Sequence, residues 1–270
     1  MYIYGDRIGH EHTGRGLVEL GHRLGHGIID RVIKERSVTH AKVRVLEIGC
    51  GEGRALMELR SRFPSAEIHG VNKESWPAMQ GQVSLLKIAE FYNIPPPSIS
   101  NEAPLPKVHF CDASELPFEP EYFDLIFSQA CLHFVQRKDK AVEEVLRILR
   151  PGGEAHLHVD SPPAHCDHLT PRFLIEGPRG SVSLLSHLED TCGDVASFSH
   201  HIVQCNGGGR FTTLRCRKDR LGRPSLGLLF DEGMSGDVWG RTASGEPNYG
   251  YQSVFNYTSQ ITVGEGVDWK

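Results

Sequence analysis

Glu47, Gly49, Gly51 and Gly53 recur at every second position of the run Val45-Leu46-Glu47-Ile48-Gly49-Cys50-Gly51-Glu52-Gly53. An apolar strand pattern passes there into a glycine turn that opens a helix. Glycine tolerates the backbone angles of such a turn and lets a ligand approach the main chain closely. The helix that follows presents unpaired N–H groups at its first turn. The dinucleotide pattern G-x-G-x-x-G would need a glycine where this chain has Arg54, so the spacing is E-x-G-x-G-x-G.

Histidine supplies the other candidate chemistry, with 15 in the chain. In a strand, His156, His158 and Asp160 share one face. Asp160 then falls near the strand's C-terminal end, where open α/β sheets bind ligands. With His165 and His168 following, a divalent metal is one reading. The other is a polar sheet face packed by helix side chains. His22 and His26 share a helix face and, with His10 and His12, belong either to a substrate-contacting lid or to a solvated helix. They make half a zinc site without the rest. No metal ligand is assigned.

These residues need elements to position them. Short apolar runs at Val43–Ile48, Ala66–Val71, Val108–Cys111, Phe123–Phe127 and Glu154–Val159 read as strands. A helix with Leu56, Leu59 and Phe63 on one face lies between the first two. Another, with Val142, Val145, Leu146 and Leu149, precedes the fifth and stops at Pro151-Gly152-Gly153. Strands alternating with helices imply right-handed βαβ units and a parallel sheet covered on both faces. Ala196–Gln204 and Phe211–Arg217 flank Asn206-Gly207 and read as an antiparallel hairpin at the sheet's edge. The expected fold is α/β: a Rossmann-like, doubly wound, mostly parallel seven-stranded sheet with that hairpin at one edge.

Three parts follow along the chain. Residues 1–40 form an N-terminal helical lid, with Leu17, Leu20, Leu24, Ile28, Ile29, Val32 and Ile33 at helical spacing despite several glycines. Residues 41–218 form the core, including a helix around Val182–Leu188. Residues 219–270 are a glycine-rich C-terminal extension, with Tyr251–Val263 able to hold one or two strands. About 36 residues, including Pro95-Pro96-Pro97, separate Asn72 from Val108, a length common for lids and binding loops.

Twenty-nine Lys and Arg against 34 Asp and Glu give a formal charge of −5, which excludes a broad nucleic-acid footprint. One local basic run remains, at Arg210, Arg215, Arg217, Lys218, Arg220 and Arg223. No apolar run is long enough for a membrane span, and the first residues lack a secretory pattern. The 7 cysteines are scattered without C-x-x-C pairs, as in a reduced cytoplasmic protein.

The E-x-G-x-G-x-G turn resembles motif I of the class I S-adenosylmethionine (SAM) dependent methyltransferases. Cys111-Asp112-Ala113 with Leu116-Pro117-Phe118, Phe123-Asp124-Leu125-Ile126-Phe127-Ser128, and Leu149-Arg150-Pro151-Gly152-Gly153 are similar to later motifs of that family, in order. The resemblance covers about residues 43–160. It implies a SAM-binding enzyme that releases S-adenosylhomocysteine. Glu47 would hold the ammonium end of the cofactor, with Gly49, Cys50, Gly51 and Gly53 beneath its amino-acid part. Asp112 would accept from the adenine amine, with Ala113 beside it, and Lys73, Ser128 and Gln129 would complete the cofactor site. The family's second strand ends in Asp or Glu for the ribose, where this chain has Asn72. Asn72 can accept one hydrogen bond and donate another but lacks the charge. Asn72 is read as a tolerated variant; otherwise either Glu74 compensates or cofactor binding weakens. Trp76, expected to open the next helix, is read as packing or as an adenine-stacking ring.

Ser128-Gln129-Ala130-Cys131-Leu132-His133 lacks the Pro-Pro motif of adenine and glutamine N-methyltransferases and the Pro-Cys nucleophile of cytosine enzymes. It is similar to the small-molecule branch that includes ubiquinone and menaquinone methyltransferases. His133 is then the candidate base or substrate contact, its unperturbed pKa suiting that role; the alternative is a packing residue beside the cofactor. The expected activity is methyl transfer to an O, N or C atom of a small-molecule acceptor, without nucleic acid and with a homo-oligomer compatible. The alternatives are a methyltransferase acting on RNA or protein, and a SAM-binding partner or regulatory protein that transfers no methyl group.

Overall fold

The computed structural model describes residues 15–73, 82–97, 103–129, 131–132, 135, 138–160, 174–177, 180–183, 188–190, 192–204, 210–219, 238–241 and 247–249. Two helices, α1 (Leu17–Leu24) and α2 (Ile28–Thr39), lead into β1 (Arg44–Ile48), α3 (Arg54–Arg62) and β2 (Glu67–Asn72). Then come α4 (Gln82–Phe91), β3 (Lys107–Phe110), β4 (Phe123–Ser128), α5 (Lys138–Ile148) and β5 (Leu149–Asp160). The chain continues through β6 (Leu174–Gly177), β7 (Gly180–Ser183), β8 (Ala196–Gln204), β9 (Arg210–Lys218), β10 (Val238–Arg241) and β11 (Pro247–Tyr249).

Seven strands form one sheet in the order β3-β2-β1-β4-β5-β9-β8. The first five are parallel, and β9 runs antiparallel between β5 and β8. This is the expected doubly wound sheet with its edge hairpin. The order reverses between β1 and β4, which opens a crevice at their C-terminal ends. Period-2 alternation divides the apolar side chains between two layers. Leu46, Ile48, Ile126, Leu157 and Leu214 pack with Val142, Val145 and Leu146 of α5. Val45, Leu125 and Phe127 pack on the other face with Leu56 and Leu59 of α3 and with the N-terminal helices.

The single long helix expected over residues 17–33 is two helices. Gly25 (φ 108°) and Gly27 (φ 72°) occupy the positive-φ region that only glycine enters cheaply. The break lets Leu20 and Leu24 of α1 and Ile29, Val32 and Ile33 of α2 each reach the sheet and become buried there.

Buried ion pairs fix the N-terminal ends of the strands. The fully buried Asp124 carboxylate meets Arg36 and Arg150, each at 3.1 Å, and accepts the Arg44 N–H at 2.8 Å. Arg36 also donates to the carbonyls of Pro151 and Gly152. That clamp sits where the sequence placed a stop before strand five. Instead α5 ends at Ile148 and β5 begins at once, carrying Pro151-Gly152-Gly153 as an irregularity in its pairing with β4.

The helix expected around Val182–Leu188 does not begin at Val182, and residues 184–187 lie outside the described ones. Gly180–Ser183 is β7, paired antiparallel with β6 so that two β-branched residues, Ile175 and Val182, stand opposite each other. Residues 188–190 are helical. β10 and β11, from the glycine-rich 219–270 segment, join β6 and β7 in a second sheet of order β11-β10-β6-β7. The line drawn at 218/219 therefore runs between strands of one sheet. Tyr251–Val263, Asn206-Gly207 and Trp76 lie outside the described residues. Among the described residues no helix is long and apolar enough to cross a membrane. Among the described residues no two of the cysteines 50, 111, 131, 192 and 216 are joined in a disulfide.

Candidate cofactor site

The glycine turn lies in the crevice between β1 and β4. Gly49, Gly51 and Gly53 take φ values of 76°, 55° and 81°, so each needs the freedom only glycine has. The turn folds back on β2: the N–H groups of Gly49 and Cys50 both donate to the Val71 carbonyl, at 2.8 and 3.2 Å. Gly53 caps α3 without a side-chain partner for the helix N-terminus. Cys131 rests directly on the α-carbon of Gly49, where a Cβ would collide with its sulfur.

Glu47 is buried on the same sheet face as Val45, and its Oε2 has no hydrogen-bond partner. Burial pushes its pKa up to about 8; nearby Gln129 pulls the other way and Glu58 adds to the rise. Gln129 lies beside it, also buried, but with neither amide atom in a hydrogen bond. A buried carboxyl next to an unsatisfied carboxamide is costly, and an ammonium group would satisfy the carboxylate and the amide oxygen. Ser128, at the end of β4, donates to the Ile48 carbonyl at 3.0 Å and holds the two central strands together under the turn.

Asn72 ends β2 and is buried. Its Oδ1 accepts from the Gly51 N–H at 3.0 Å, and its Nδ2 donates to the Gly51 carbonyl at 2.8 Å. Asp112, just beyond β3, is exposed and accepts from the Ser114 N–H and hydroxyl at 2.9 and 2.8 Å. Burial alone would raise its pKa, but Ser114 and then Lys73, whose Nζ is 3.7 Å away, hold it below the usual value. Ala113 is buried behind it. Thus Glu47, the glycines, Ser128 and Gln129 gather at one end of the crevice, while Asn72, Lys73 and Asp112 line the neighbouring strand ends. Cys50 points away from this line, into the core against Gly70. His133 and Glu74 lie outside the described residues.

A second set of residues was not anticipated. Arg54 opens α3, pairs with Glu58 at 2.8 Å and Glu19 at 3.3 Å, and lies 4.4 Å from the centre of the Tyr92 ring. The Tyr92 hydroxyl approaches Glu52, and burial followed by that carboxylate pushes its pKa up to about 12. Glu58 in turn accepts the Leu17 N–H at 2.5 Å. This network ties α1 and α4 to the rim of the turn. The Arg54/Glu58 spacing at i, i+4 was its one visible signal.

His156, Arg215 and Lys218 on the hairpin side have other partners, while His165, His168, Arg220 and Arg223 lie outside the described residues. His156 Nε2 meets Glu154 at 3.0 Å, and no group of three metal-ligating side chains occurs among the described residues. In the basic run, Lys218 is fully buried and pairs with Glu121 at 3.2 Å, Arg215 reaches the Leu24 carbonyl, and Arg217 is exposed.

Residues 46–157 match the family model described as a methyltransferase domain. Over those 112 of its 270 residues the chain is similar to methyltransferases of the SAM-dependent kind. The ubiquinone/menaquinone biosynthesis C-methyltransferase of Vibrio campbellii is 34% identical over 113 residues, which are 41% of this chain and 38% of that protein. The sterol 4-C-methyltransferase of Caenorhabditis elegans is 26% identical over 161 residues, 60% of this chain and 42% of that one. Among solved structures, the cyclase SpnF superposes with a TM-score of 0.46 at 18% identity, covering 70% of this chain and 79% of its own. The chain aligns with about two fifths of the length of the curated relatives it matches. The matched residues 46–157 contain Glu47, the glycine turn, Asn72, Asp112, Ser128 and Gln129.

Proposed function

We propose that the chain binds SAM in the β1/β4 crevice and transfers its methyl group to an O, N or C atom of a small-molecule acceptor. The observation that carries this reading is the unsatisfied pair Glu47 and Gln129 beside a glycine turn. A buried carboxyl and carboxamide with free bonding capacity fit a small cationic group, as the ammonium end of SAM is. Gly49, Gly51 and Gly53 carry no side chains of their own at this turn, which suits close contact with an extended ligand. Asp112 and Ala113 supply an acceptor and an apolar wall for an adenine, as the resemblance implies.

SAM, when bound, supplies a methyl group activated on a sulfonium. The residues of the chain then have mostly positional work: to hold the acceptor in line and to exclude water. His133 is the candidate to take a proton from a hydroxyl or a charged amine acceptor. The small-molecule reading is supported by the C-methyltransferases of quinones and sterols among the relatives. It is also supported by the inward-turned Arg215 and Lys218, which remove two charges from the only basic run. The test is formation of S-adenosylhomocysteine with pooled quinol, sterol and amine acceptors, run in parallel with RNA and with protein. Turnover confined to a small-molecule pool is expected. Turnover with RNA or protein alone overturns the acceptor assignment.

A further inference from the structure

The end of β2 departs from its family pattern, and the structure shows what the departing residue does. Asn72 spends both ends of its carboxamide on the backbone of one residue, accepting from Gly51 N–H at 3.0 Å and donating to Gly51 O at 2.8 Å. The arrangement is buried, and Gly51 stands at a positive φ of 55°. A carboxylate here can accept from the N–H but has no donor for the carbonyl. Two reciprocal bonds to the middle residue of the turn therefore need an amide at 72.

We infer that Asn72 is a positioning residue that locks the Gly49–Gly53 turn into its ligand-receiving shape, in place of a ribose-binding residue. This rests on the proposed SAM site and assigns the residue a different task within it. Three observations agree. The turn is also anchored on β2 through the Gly49 and Cys50 N–H groups at the Val71 carbonyl. Gly51 lies between those contacts and the start of α3, and Asn72 supplies its bonds to β2. Releasing Asn72 to meet two ribose hydroxyls would strand a buried N–H and a buried carbonyl, each costly when unpaired. The lock also changes selectivity. A site without a β2 carboxylate loses the strong charge-assisted bonds that normally read the two hydroxyls, so Asn72 contributes nothing to telling ribose from deoxyribose.

The test is a two-by-two comparison of Asn72 and the ribose, by calorimetry on the full chain with S-adenosylhomocysteine and its 2′,3′-dideoxy analogue. N72A is expected to bind both about tenfold or more weakly, with the same factor for each. A factor that disappears with the dideoxy analogue means Asn72 touches the ribose, and the inference fails. N72D separates the two roles without removing the side chain. A ribose ligand would bind S-adenosylhomocysteine more tightly as Asp, whereas a lock that has lost its donor binds more weakly. Hydrogen exchange reads the lock without any ligand: the Gly51 amide should exchange markedly faster in N72A and N72D than in the wild type. Unchanged exchange overturns the inference even if the wild type binds no cofactor. Faster exchange with no cofactor binding keeps the lock and removes the SAM assignment instead.

Discussion

Glu47 and Gln129 stand side by side at the C-terminal ends of adjacent parallel strands, both buried, with Glu47 Oε2 and both amide atoms of Gln129 unbonded. A fold retains such a pair only against a cost in stability, and a cationic ligand removes that cost. The pair makes the site's affinity a function of pH.

With its pKa raised to about 8 by burial, Glu47 is protonated in the free protein near neutrality and must ionise to receive an ammonium. SAM binding is therefore expected to release a proton at pH 7. Affinity should rise between pH 6 and 8 by up to about tenfold per unit. E47Q should bind more weakly and lose the slope. Calorimetry in buffers of different ionisation enthalpy counts the proton directly.

The same carboxyl sets a stability trend with the opposite sense to that of a salt-bridged acid. Its folded pKa lies above the unfolded value of about 4.3, so the folded state holds a proton that the unfolded state has lost. That contribution is present below the unfolded pKa and declines as pH rises to about 8. E47Q should gain on the wild type in urea midpoint across this window. An unchanged difference at pH 5 and pH 8 contradicts the assignment.

Asp124 should prove the most sensitive polar position in the core. It is fully buried between Arg36 and Arg150 and receives the Arg44 N–H. D124A leaves two guanidinium groups without a buried partner, a loss of about 3–5 kcal/mol. Chemical denaturation should show this loss. The clamp lies at the N-terminal end of β4, so the protein that remains folded should bind SAM with near wild-type affinity.

Gly49 carries two constraints at once, a φ of 76° and the Cys131 side chain against its α-carbon. G49A should cost about 1–3 kcal/mol from backbone strain and overlap together. Adding C131G should recover the overlap but leave the strain, so the double variant should lie between G49A and the wild type in denaturation midpoint.

The sheet and its glycine turn were legible because both rest on local pattern. Val45, Leu46 and Ile48 alternate toward two layers, and Gly49, Gly51 and Gly53 sit where positive φ is required. The split of α1 from α2 was signalled by Gly25 and Gly27, yet continuous apolar spacing concealed it. β7 was misread because Val182 near Leu184, Leu185 and Leu188 imitates a helical stripe in a segment whose β6 partner carries no strong strand signal. The buried clamps were illegible for a different reason. Asp124 meets Arg36 and Arg150 only after the topology brings α2 beneath β4. Asn72 was noticed as a departure, but its partner is a backbone peptide 21 positions away, which no side-chain pattern discloses.

The central claim is tested most directly by calorimetric titration of the full chain with SAM and S-adenosylhomocysteine, beside D112A. The Asp112 side chain is half exposed and, among the described residues, bonds to Ser114 and Lys73, so its removal should leave the fold intact. Micromolar binding of both ligands by the wild type, weakened at least about tenfold in D112A as expected for a lost bond to a charged group, is the predicted result. A folded protein that binds neither ligand would contradict the account.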